Sequence, residues 1–143
     1  MSDRPPGEFV DSNVLVYAHD ATAGRKREIA RALLAKLWSE KRGALSIQTL
    51  QEFVVNATQK VPKPISVEEA LDVVTALSDW TVHSPEPADV VEALKRKTRY
   101  KISFWDAMIL ESAACLGCDL VWSEDLNSGQ IYDGVEVRNP FAD

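Results

Sequence analysis

The sequence predicts an α/β fold in which a central parallel sheet of about five strands is flanked by helices. Short apolar stretches that suit buried strands alternate with longer segments whose apolar residues recur at helical spacing. This alternation favours a parallel sheet, because parallel strands are usually joined by a helical crossover. No repeat and no Gly- or Ser-rich linker divides the chain, so we expect one domain over 1–143, with 1–7 as a flexible tail.

The strands and helices are assigned from local patterns. Segment 25–41 carries its apolar residues on one helical face. Ser66 and Glu69 have the spacing of a capping box, and Pro85 and Pro87 suit the first turn of a helix. The predicted helices span 14–18, 25–41, 49–60, 66–78, 85–98 and 103–116. The predicted strands span 8–11, 44–47, 80–83, 119–123 and 135–138.

The charge balance limits the classes of function. The formal net charge is −6, which argues against a protein that coats nucleic acid through a basic stripe. It does not argue against a nuclease, whose acidic residues can hold a divalent cation that meets the phosphate. The first residues lack the pattern of a secretory signal, and no apolar run approaches the roughly 20 residues that cross a bilayer. We therefore expect a cytoplasmic protein without a membrane segment.

The two cysteines form a C-x-x-C motif at Cys115 and Cys118. A redox motif of this kind lies at a helix N-terminus, whereas this one follows an apolar helix that Gly117 ends. As zinc ligands the pair is half a site, and His19 and His83 show no metal-binding spacing in the sequence. We interpret both cysteines as structural thiols.

Four acidic residues are predicted to meet at one edge of the sheet. Asp11 ends the first strand and Asp125 follows the fourth, so both should project from the carboxyl edge, where ligands of such sheets bind. Glu52 and Asp106 are each predicted in the first turn of a helix that starts at the same edge. A set of carboxylates without His or Cys favours Mg²⁺ or Mn²⁺ over zinc.

Each of these residues also has a purely structural interpretation. Glu52 and Asp106 could complete capping boxes with Thr49 and Ser103, as helix-starting carboxylates often do. Asp11 could be a helix N-cap and Asp125 a turn residue. The two interpretations are compatible, because a carboxylate in the first turn of a helix can serve as both cap and ligand.

Four motifs in this order resemble the acidic motifs of the PIN domain family, and most closely those of VapC-type toxins. They are VDSNVLVY at 10–17, QEF at 51–53, SFWDAMI at 103–109 and SEDL at 123–126. The segment GVEVRNPF at 134–141 resembles the last strand of that family. The resemblance runs from about Phe9 to Phe141.

The resemblance implies a PIN-like three-layer fold and a Mg²⁺- or Mn²⁺-dependent endoribonuclease, the toxin of a toxin–antitoxin pair. Asp11, Glu52, Asp106 and Asp125 match the family's acidic positions, which would make them the catalytic residues and metal ligands. Asn13 and Ser123 match supporting polar positions. Relatives usually dimerise and are inhibited by a cognate antitoxin. Many carry Thr-Asn or Thr-Arg before the fourth acid, whereas this chain has Ser123 and Glu124, so Glu124 could share the role of Asp125.

A basic cluster lies just before the helix that bears Asp106. It consists of Lys95, Arg96, Lys97, Arg99 and Lys101. These residues could bind RNA phosphates, or they could be a solvated helix end whose cations complement the dipole. Tyr100, Phe104 and Trp105 lie beside the cluster and could stack on unpaired bases, although aromatic residues at a helix start are more often part of the core.

Two other classes of protein share some of these features. A signalling receiver domain also gathers acids at the carboxyl edge, but it needs an acidic pair after the first strand and a lysine after the last, and the chain supplies neither. A non-catalytic interaction module could keep this fold, although such a module has no need of all four acids. The metal-dependent nuclease is the preferred hypothesis.

Overall fold

The computed structural model describes residues 5–142, and the part of the expected tail at 1–4 lies outside them. The helices are α1 (Ser12–Ala18), α2 (Arg25–Glu40), α3 (Ile47–Val55), α4 (Val67–Leu77), α5 (Pro87–Tyr100) and α6 (Phe104–Cys115). The strands are β1 (Glu8–Val10), β2 (Gly43–Ser46), β3 (Thr81–His83), β4 (Leu120–Trp122), β5 (Ile131–Tyr132) and β6 (Val135–Arg138). No helix in this part of the chain has both the length and the apolar character needed to span a bilayer.

The strands form one sheet in the order β3-β2-β1-β4-β6-β5. The five strands expected from the sequence pair in parallel, which confirms the predicted α/β class. The sixth strand, β5, is antiparallel to β6 and was not predicted. Asp133 and Gly134 join β5 to β6 with φ values of 50° and 87°. A two-residue turn of this kind requires positive φ, which explains the Asp-Gly sequence.

Helices cover both faces of the sheet, so the core has two halves. Phe9 and Val10 are both fully buried, and as neighbours on β1 they point to opposite faces. Val10 packs with residues of α1, α2 and α3, including Leu15, Leu37 and Phe53. Phe9 instead belongs to the cluster formed with α6, β4 and β6. This is the predicted three-layer arrangement.

The helix predicted at 49–60 has different boundaries. It begins at Ile47, because Ser46 is its N-cap and forms a capping box with Thr49. It ends at Val55 and continues as a π-helical turn, Asn56–Lys60. The sequence pattern favoured Thr49 as the start, but Thr49 is the third residue of a helix that begins directly where β2 ends.

The neighbouring ends of β1 and β4 bring the candidate site residues together at one edge of the sheet. The backbone N–H of Asp11 donates to the carbonyl oxygen of Trp122 at 2.9 Å, so β1 and β4 end side by side.

The residues just before β1 are also in contact with the fold. The Arg42 guanidinium donates to the carbonyl oxygen of Pro6 at 3.1 and 3.2 Å.

Candidate active site

Asp11 occupies the junction between β1 and α1. It is the N-cap of α1, and its Oδ1 accepts a 2.7 Å hydrogen bond from the backbone N–H of Ser12. Its Oδ2 accepts a 2.7 Å bond from the Ser123 hydroxyl. The residue is only 4% exposed. The capping role foreseen as an alternative is therefore real, and it places a buried carboxylate at the edge of the sheet.

The surroundings of Asp11 disfavour its charge. Burial raises its pKa from 3.8 to about 7, and the negative charges of Glu52 and Asp125 add to this effect. The hydrogen bonds from Ser123 and Ser12 lower the pKa of Asp11, but they offset only part of the increase. Asp11 has no cationic partner among residues 5–142, and a buried unpaired carboxylate is costly, so a bound cation would stabilise this site.

Asp125 lies beyond the end of β4 and is tied to Asp11 through Ser123. The hydroxyl oxygen of Ser123 accepts the backbone N–H of Asp125 at 3.1 Å. The Asn13 amide Nδ2 donates to Asp125 Oδ2 at 3.1 Å and to Ser123 Oγ at 3.4 Å. Asn13 and Ser123 therefore both contact acidic residues of the candidate site.

Glu52 approaches from α3. Its Oε1 accepts a 3.3 Å bond from the Ser12 hydroxyl. Burial raises the pKa of Glu52, hydrogen bonds from Ser12 and Gln48 lower it, and the charges of Asp106 and Asp125 raise it further. The prediction that Glu52 lies in the first turn of its helix is wrong: α3 begins at Ile47, which places Glu52 in the second turn.

Asp106 lies in the first turn of α6, as predicted. Its backbone N–H donates to the hydroxyl of the N-cap residue Ser103 at 3.1 Å. Burial raises the pKa of Asp106, the Ser103 hydrogen bond lowers it, and the charge of Asp125 raises it. Neighbouring negative charges from this set thus raise the pKa values of Asp11, Glu52 and Asp106.

The donor set fits a hard divalent cation. All four acids offer oxygen, and the buried Asn13 Oδ1 has no hydrogen-bond partner among the described residues. Within residues 5–142, no Lys, Arg or His nitrogen lies within 4.0 Å of any of the four carboxylates. Their oxygens do not form a tight group of three within 4.8 Å in this part of the chain. Mg²⁺ usually keeps several waters, so one or two of these carboxylates would be enough to bind it directly.

Glu124 has a different role from Asp125. Its carboxylate accepts a 2.8 Å bond from Lys26 Nζ and a short hydrogen bond from the Tyr17 hydroxyl. Burial alone would raise the pKa of Glu124, but these two bonds outweigh it and the pKa is lowered. The Glu124 carboxylate is therefore held by side chains of α1 and α2. Of these two neighbouring acids, it is Asp125 that Asn13 contacts.

The basic cluster before α6 divides into paired and unpaired residues. Arg96 forms ion pairs with Glu111 at 3.3 Å and Asp133 at 2.9 Å, and its side chain is only 13% exposed. Arg99 also pairs with Asp133, at 2.6 Å, and Lys95 pairs with Glu92 at 3.0 Å on the same helix. Lys97 and Lys101 are exposed and have no carboxylate within 4.0 Å in the described chain.

The aromatic residues beside this cluster are also distinct. Tyr100 donates to Asp133 Oδ1 at 2.8 Å and packs against Tyr132, so it is structural. Phe104 packs with Trp105, but Trp105 is 61% exposed and directly precedes Asp106. Gln48, which the sequence pattern did not single out, donates to the Trp105 carbonyl oxygen at 3.3 Å and links α3 to the start of α6.

A second group of chemically active residues has no signal in the sequence. His83, Asp89 and Cys115 each offer a ligand atom within 4.8 Å of the others, although no spacing along the chain joins them. The Cys115 thiol is far from reactive: burial and the adjacent Asp89 and Glu111 carboxylates raise its pKa to about 12. Both cysteines are free, and Cys118 is buried in the core, as a structural thiol should be.

Solved structures with the same fold are toxins of toxin–antitoxin systems. A toxin–antitoxin complex from Klebsiella pneumoniae superposes with a TM-score of 0.67 at 20% identity, over 94% of this chain and 98% of the other. DNA-bound VapBC from Salmonella typhimurium gives 0.65 at 19%, over 95% and 99%. A VapC toxin of Mycobacterium tuberculosis that cleaves the sarcin–ricin loop gives 0.63 at 17%, over 83% and 90%.

The sequence comparisons agree with the fold. Comparison with curated proteins finds no significant match. The family profile described as PIN domain matches residues 9–133, which include most of β1, all of β4 and all four acidic positions. This match spans most of the chain, and the three-layer fold with its acidic edge accords with it. The chain belongs to the PIN domain family.

Proposed function

We propose that this protein is a Mg²⁺- or Mn²⁺-dependent endoribonuclease, with Asp11, Glu52, Asp106 and Asp125 as its catalytic residues and metal ligands. The observation that carries the proposal is the placement of Asp11. It is a buried carboxylate whose pKa is raised to about 7, near Glu52 and Asp125 and without a cationic partner among the described residues. A structural role alone would not require so unfavourable an arrangement.

The residues around the acids hold them in place for this chemistry. Ser123 orients Asp11 and Asp125 together, Asn13 restrains Asp125, and Ser12 restrains Glu52. When bound, the cation would lower the pKa of its water and offset the negative charge that develops on the scissile phosphate. Asn13 and Ser123 are thus positioning residues.

The proposed substrate is unpaired RNA. Exposed Trp105 adjoins Asp106 and offers a face on which a base could stack. Lys97 and Lys101 are available for phosphates, and of the five basic residues considered they are the better candidates, because Arg96, Arg99 and Lys95 are engaged by carboxylates. A net charge of −6 implies few such phosphate interactions.

The proposed biological role is the toxin of a type II toxin–antitoxin system. Its support is the shared fold of the solved toxins, one of which is described as cleaving the sarcin–ricin loop. We expect a cognate antitoxin that brings Arg or Lys to the acidic edge, since pairing would offset the burial cost of Asp11. We also expect a homodimer in the cytoplasm.

The decisive experiment incubates purified protein with total RNA in Mg²⁺, in Mn²⁺ and in chelator. We expect cleavage with either cation and none in chelator, and loss of cleavage in Asp11→Asn. Co-expression with the neighbouring small gene should relieve growth arrest. If wild-type protein binds an antitoxin but cuts no RNA with either cation, the alternative function, a non-catalytic interaction module, is correct.

A further inference from the structure

A second cluster of metal-ligating side chains joins three elements away from the proposed nuclease site. His83 ends β3, Asp89 lies in the first turn of α5, and Cys115 ends α6. The His83 Nε2 atom lies 3.4 Å from Asp89 Oδ2. The Cys115 thiol donates to Asp89 Oδ1 at 3.1 Å. Glu111, one turn before Cys115 on α6, accepts from the same thiol on Oε2 at 3.2 Å.

Each of these side chains is held by a further partner. His83 Nδ1 lies 2.8 Å from the hydroxyl of Ser112, a fully buried residue, and this leaves Nε2 facing Asp89. Asp89 Oδ2 accepts the backbone N–H of Glu86 at 2.7 Å, within a capping box. Glu111 Oε1 accepts from Arg96 Nε at 3.3 Å. Such secondary interactions orient ligands in protein metal sites.

We propose that His83 Nε2, Asp89 and Cys115 Sγ form a structural zinc site. Glu111 Oε2 lies 3.2 Å from Cys115 Sγ but outside this group of three, and it would become the fourth ligand after a side-chain rotation. Zn²⁺ binds imidazole nitrogen, thiolate sulfur and carboxylate oxygen and is usually four-coordinate, whereas Mg²⁺ binds oxygen ligands. On binding, the thiol proton leaves to solvent and the Zn–S bond forms, without any change of oxidation state.

The distances need little adjustment to reach zinc geometry. Zn–S of about 2.3 Å and Zn–N of about 2.0 Å at tetrahedral angles place the two donor atoms about 3.5 Å apart. The two measured separations involve different oxygens of Asp89: Oδ2 lies 3.4 Å from His83 Nε2, and Oδ1 lies 3.1 Å from Cys115 Sγ. Both are on the scale expected between two ligands of one ion. The ligand atoms of His83, Asp89 and Cys115 lie within 4.8 Å of one another, so small side-chain rotations would bring these three onto one ion.

The zinc site would be separate from the acidic edge. Asp106 and Cys115 occupy the two ends of α6, and nine residues of helix separate them by about 13 Å along the axis. The role that follows from the geometry is mechanical, because one ion would tie the edge strand β3 and the start of α5 to the end of α6. The inference does not depend on the proposed nuclease function.

The test uses Co²⁺, which adopts zinc geometry and gives a thiolate-to-metal charge-transfer absorption when cysteine is a ligand. Chelator-treated, reduced, full-length protein is titrated with Co²⁺ and then with Zn²⁺. We expect an equimolar cobalt–thiolate band that Zn²⁺ abolishes and that a large excess of Mg²⁺ leaves unchanged. Zn²⁺ should also raise the melting temperature by mass action.

The matched variants use both halves of the C-x-x-C motif. Cys115→Ala should lose the band, and His83→Gln should weaken Co²⁺ affinity by more than about tenfold. Cys118→Ala should keep it, because Cys118 lies in the core, and Asp11→Asn should keep it too. Circular dichroism checks that each variant is folded. A folded wild type without the band, or a band of equal strength in Cys115→Ala, would overturn the proposal.

Discussion

The Ser123 hydroxyl donates a 2.7 Å hydrogen bond to Asp11 Oδ2 and accepts the backbone N–H of Asp125 at 3.1 Å. One side chain thus links two acids that lie 114 positions apart in the sequence at the ends of the neighbouring strands β1 and β4. Because Ser123 is fully buried, water cannot replace these bonds without a rearrangement.

Replacing Ser123 with Ala should therefore affect both stability and activity. Loss of the hydroxyl removes a donor to Asp11 and an acceptor for the Asp125 backbone, at a cost of about 1–3 kcal/mol in the free energy of unfolding. RNA cleavage should also fall, since both proposed ligands lose their common restraint. Urea unfolding and cleavage rates measure the two effects.

The matched control is Ser78→Ala. The Ser78 hydroxyl is exposed and donates only to the Thr75 carbonyl oxygen on α4. We expect a change within about 0.5 kcal/mol and normal cleavage. Equal losses of activity in Ser78→Ala and Ser123→Ala would contradict a specific positioning role.

Asp11→Asn and Asp106→Asn should leave the fold intact and reduce cleavage by orders of magnitude. Each change keeps the shape of the side chain while it removes the charge of a proposed ligand. Glu69→Gln is the control, because Glu69 is exposed in the first turn of α4 and its Oε1 accepts a weak 3.5 Å hydrogen bond from the Ser66 hydroxyl. Its expected cost is on the order of 1 kcal/mol or less, with cleavage unchanged.

The cleavage products test the mechanism independently. Attack by water leaves 5′-phosphate and 3′-hydroxyl ends, whereas attack by the ribose 2′-hydroxyl leaves a 2′,3′-cyclic phosphate. The second route usually needs a general base such as His, and His83 is engaged with Ser112 and Asp89. Cyclic phosphate ends, or full activity in chelator, would rule out the proposed chemistry.

The ionisation of Asp11 makes metal-free stability depend on pH. Its pKa is about 7 in the folded protein and near 3.8 when unfolded. Between these values the folded protein holds a proton that the unfolded chain has lost, so this contribution lowers the free energy of unfolding as pH rises. The difference between these two pKa values corresponds to as much as about 4 kcal/mol in the free energy of unfolding.

Comparison with Asp11→Asn isolates this contribution. In chelator, the variant's stability relative to wild type should increase from about pH 4 to about pH 7 and then level off. The affinity of wild type for Mg²⁺ should rise over the same range, because the cation competes with the proton. A pH-independent difference between the two proteins in thermal melts would contradict the raised pKa.

The neighbouring acids Glu124 and Asp125 should respond differently to amide substitution. Asp125→Asn should weaken Mg²⁺ binding and cleavage, since it removes a ligand charge. Glu124→Gln should leave both intact and cost about 1 kcal/mol or less through its partly exposed pair with Lys26. Calorimetric Mg²⁺ titration of both variants decides between them. Loss of binding in Glu124→Gln alone would assign the fourth ligand to Glu124.

The basic residues should separate into those that bind RNA and those that stabilise the fold. Lys97→Ala or Lys101→Ala should weaken RNA binding. The logarithm of the binding constant should also fall less steeply with the logarithm of the salt concentration, by about 0.7 in slope for each phosphate that the lysine had neutralised. Lys95→Ala is the control, because Lys95 is exposed and paired with Glu92. Arg96→Ala should instead destabilise the fold, since it leaves Glu111 buried without its cation. Binding isotherms at several salt concentrations and urea unfolding measure these effects.

The sequence by itself determined the order of the predicted strands and helices, because the spacing of apolar residues and the capping of helices are local properties. Ser103 and Ser66 cap the helices that their patterns predicted, and Asp11 and Asp125 follow buried strands as expected. The turn at Asp133 and Gly134 also carried a local signal for the hairpin that was not predicted, since Asp-Gly favours positive φ.

The tertiary structure decided which charges remain available. Arg96 and Arg99 are basic wherever the chain places them, yet Asp133, more than 30 positions away, neutralises them. Glu124 and Asp125 are adjacent acids, yet only Glu124 meets Lys26. No spacing along the chain joins His83 to Cys115. Their proximity depends on where β3, α5 and α6 pack, because a long-range contact is fixed by the crossing of elements and not by local pattern.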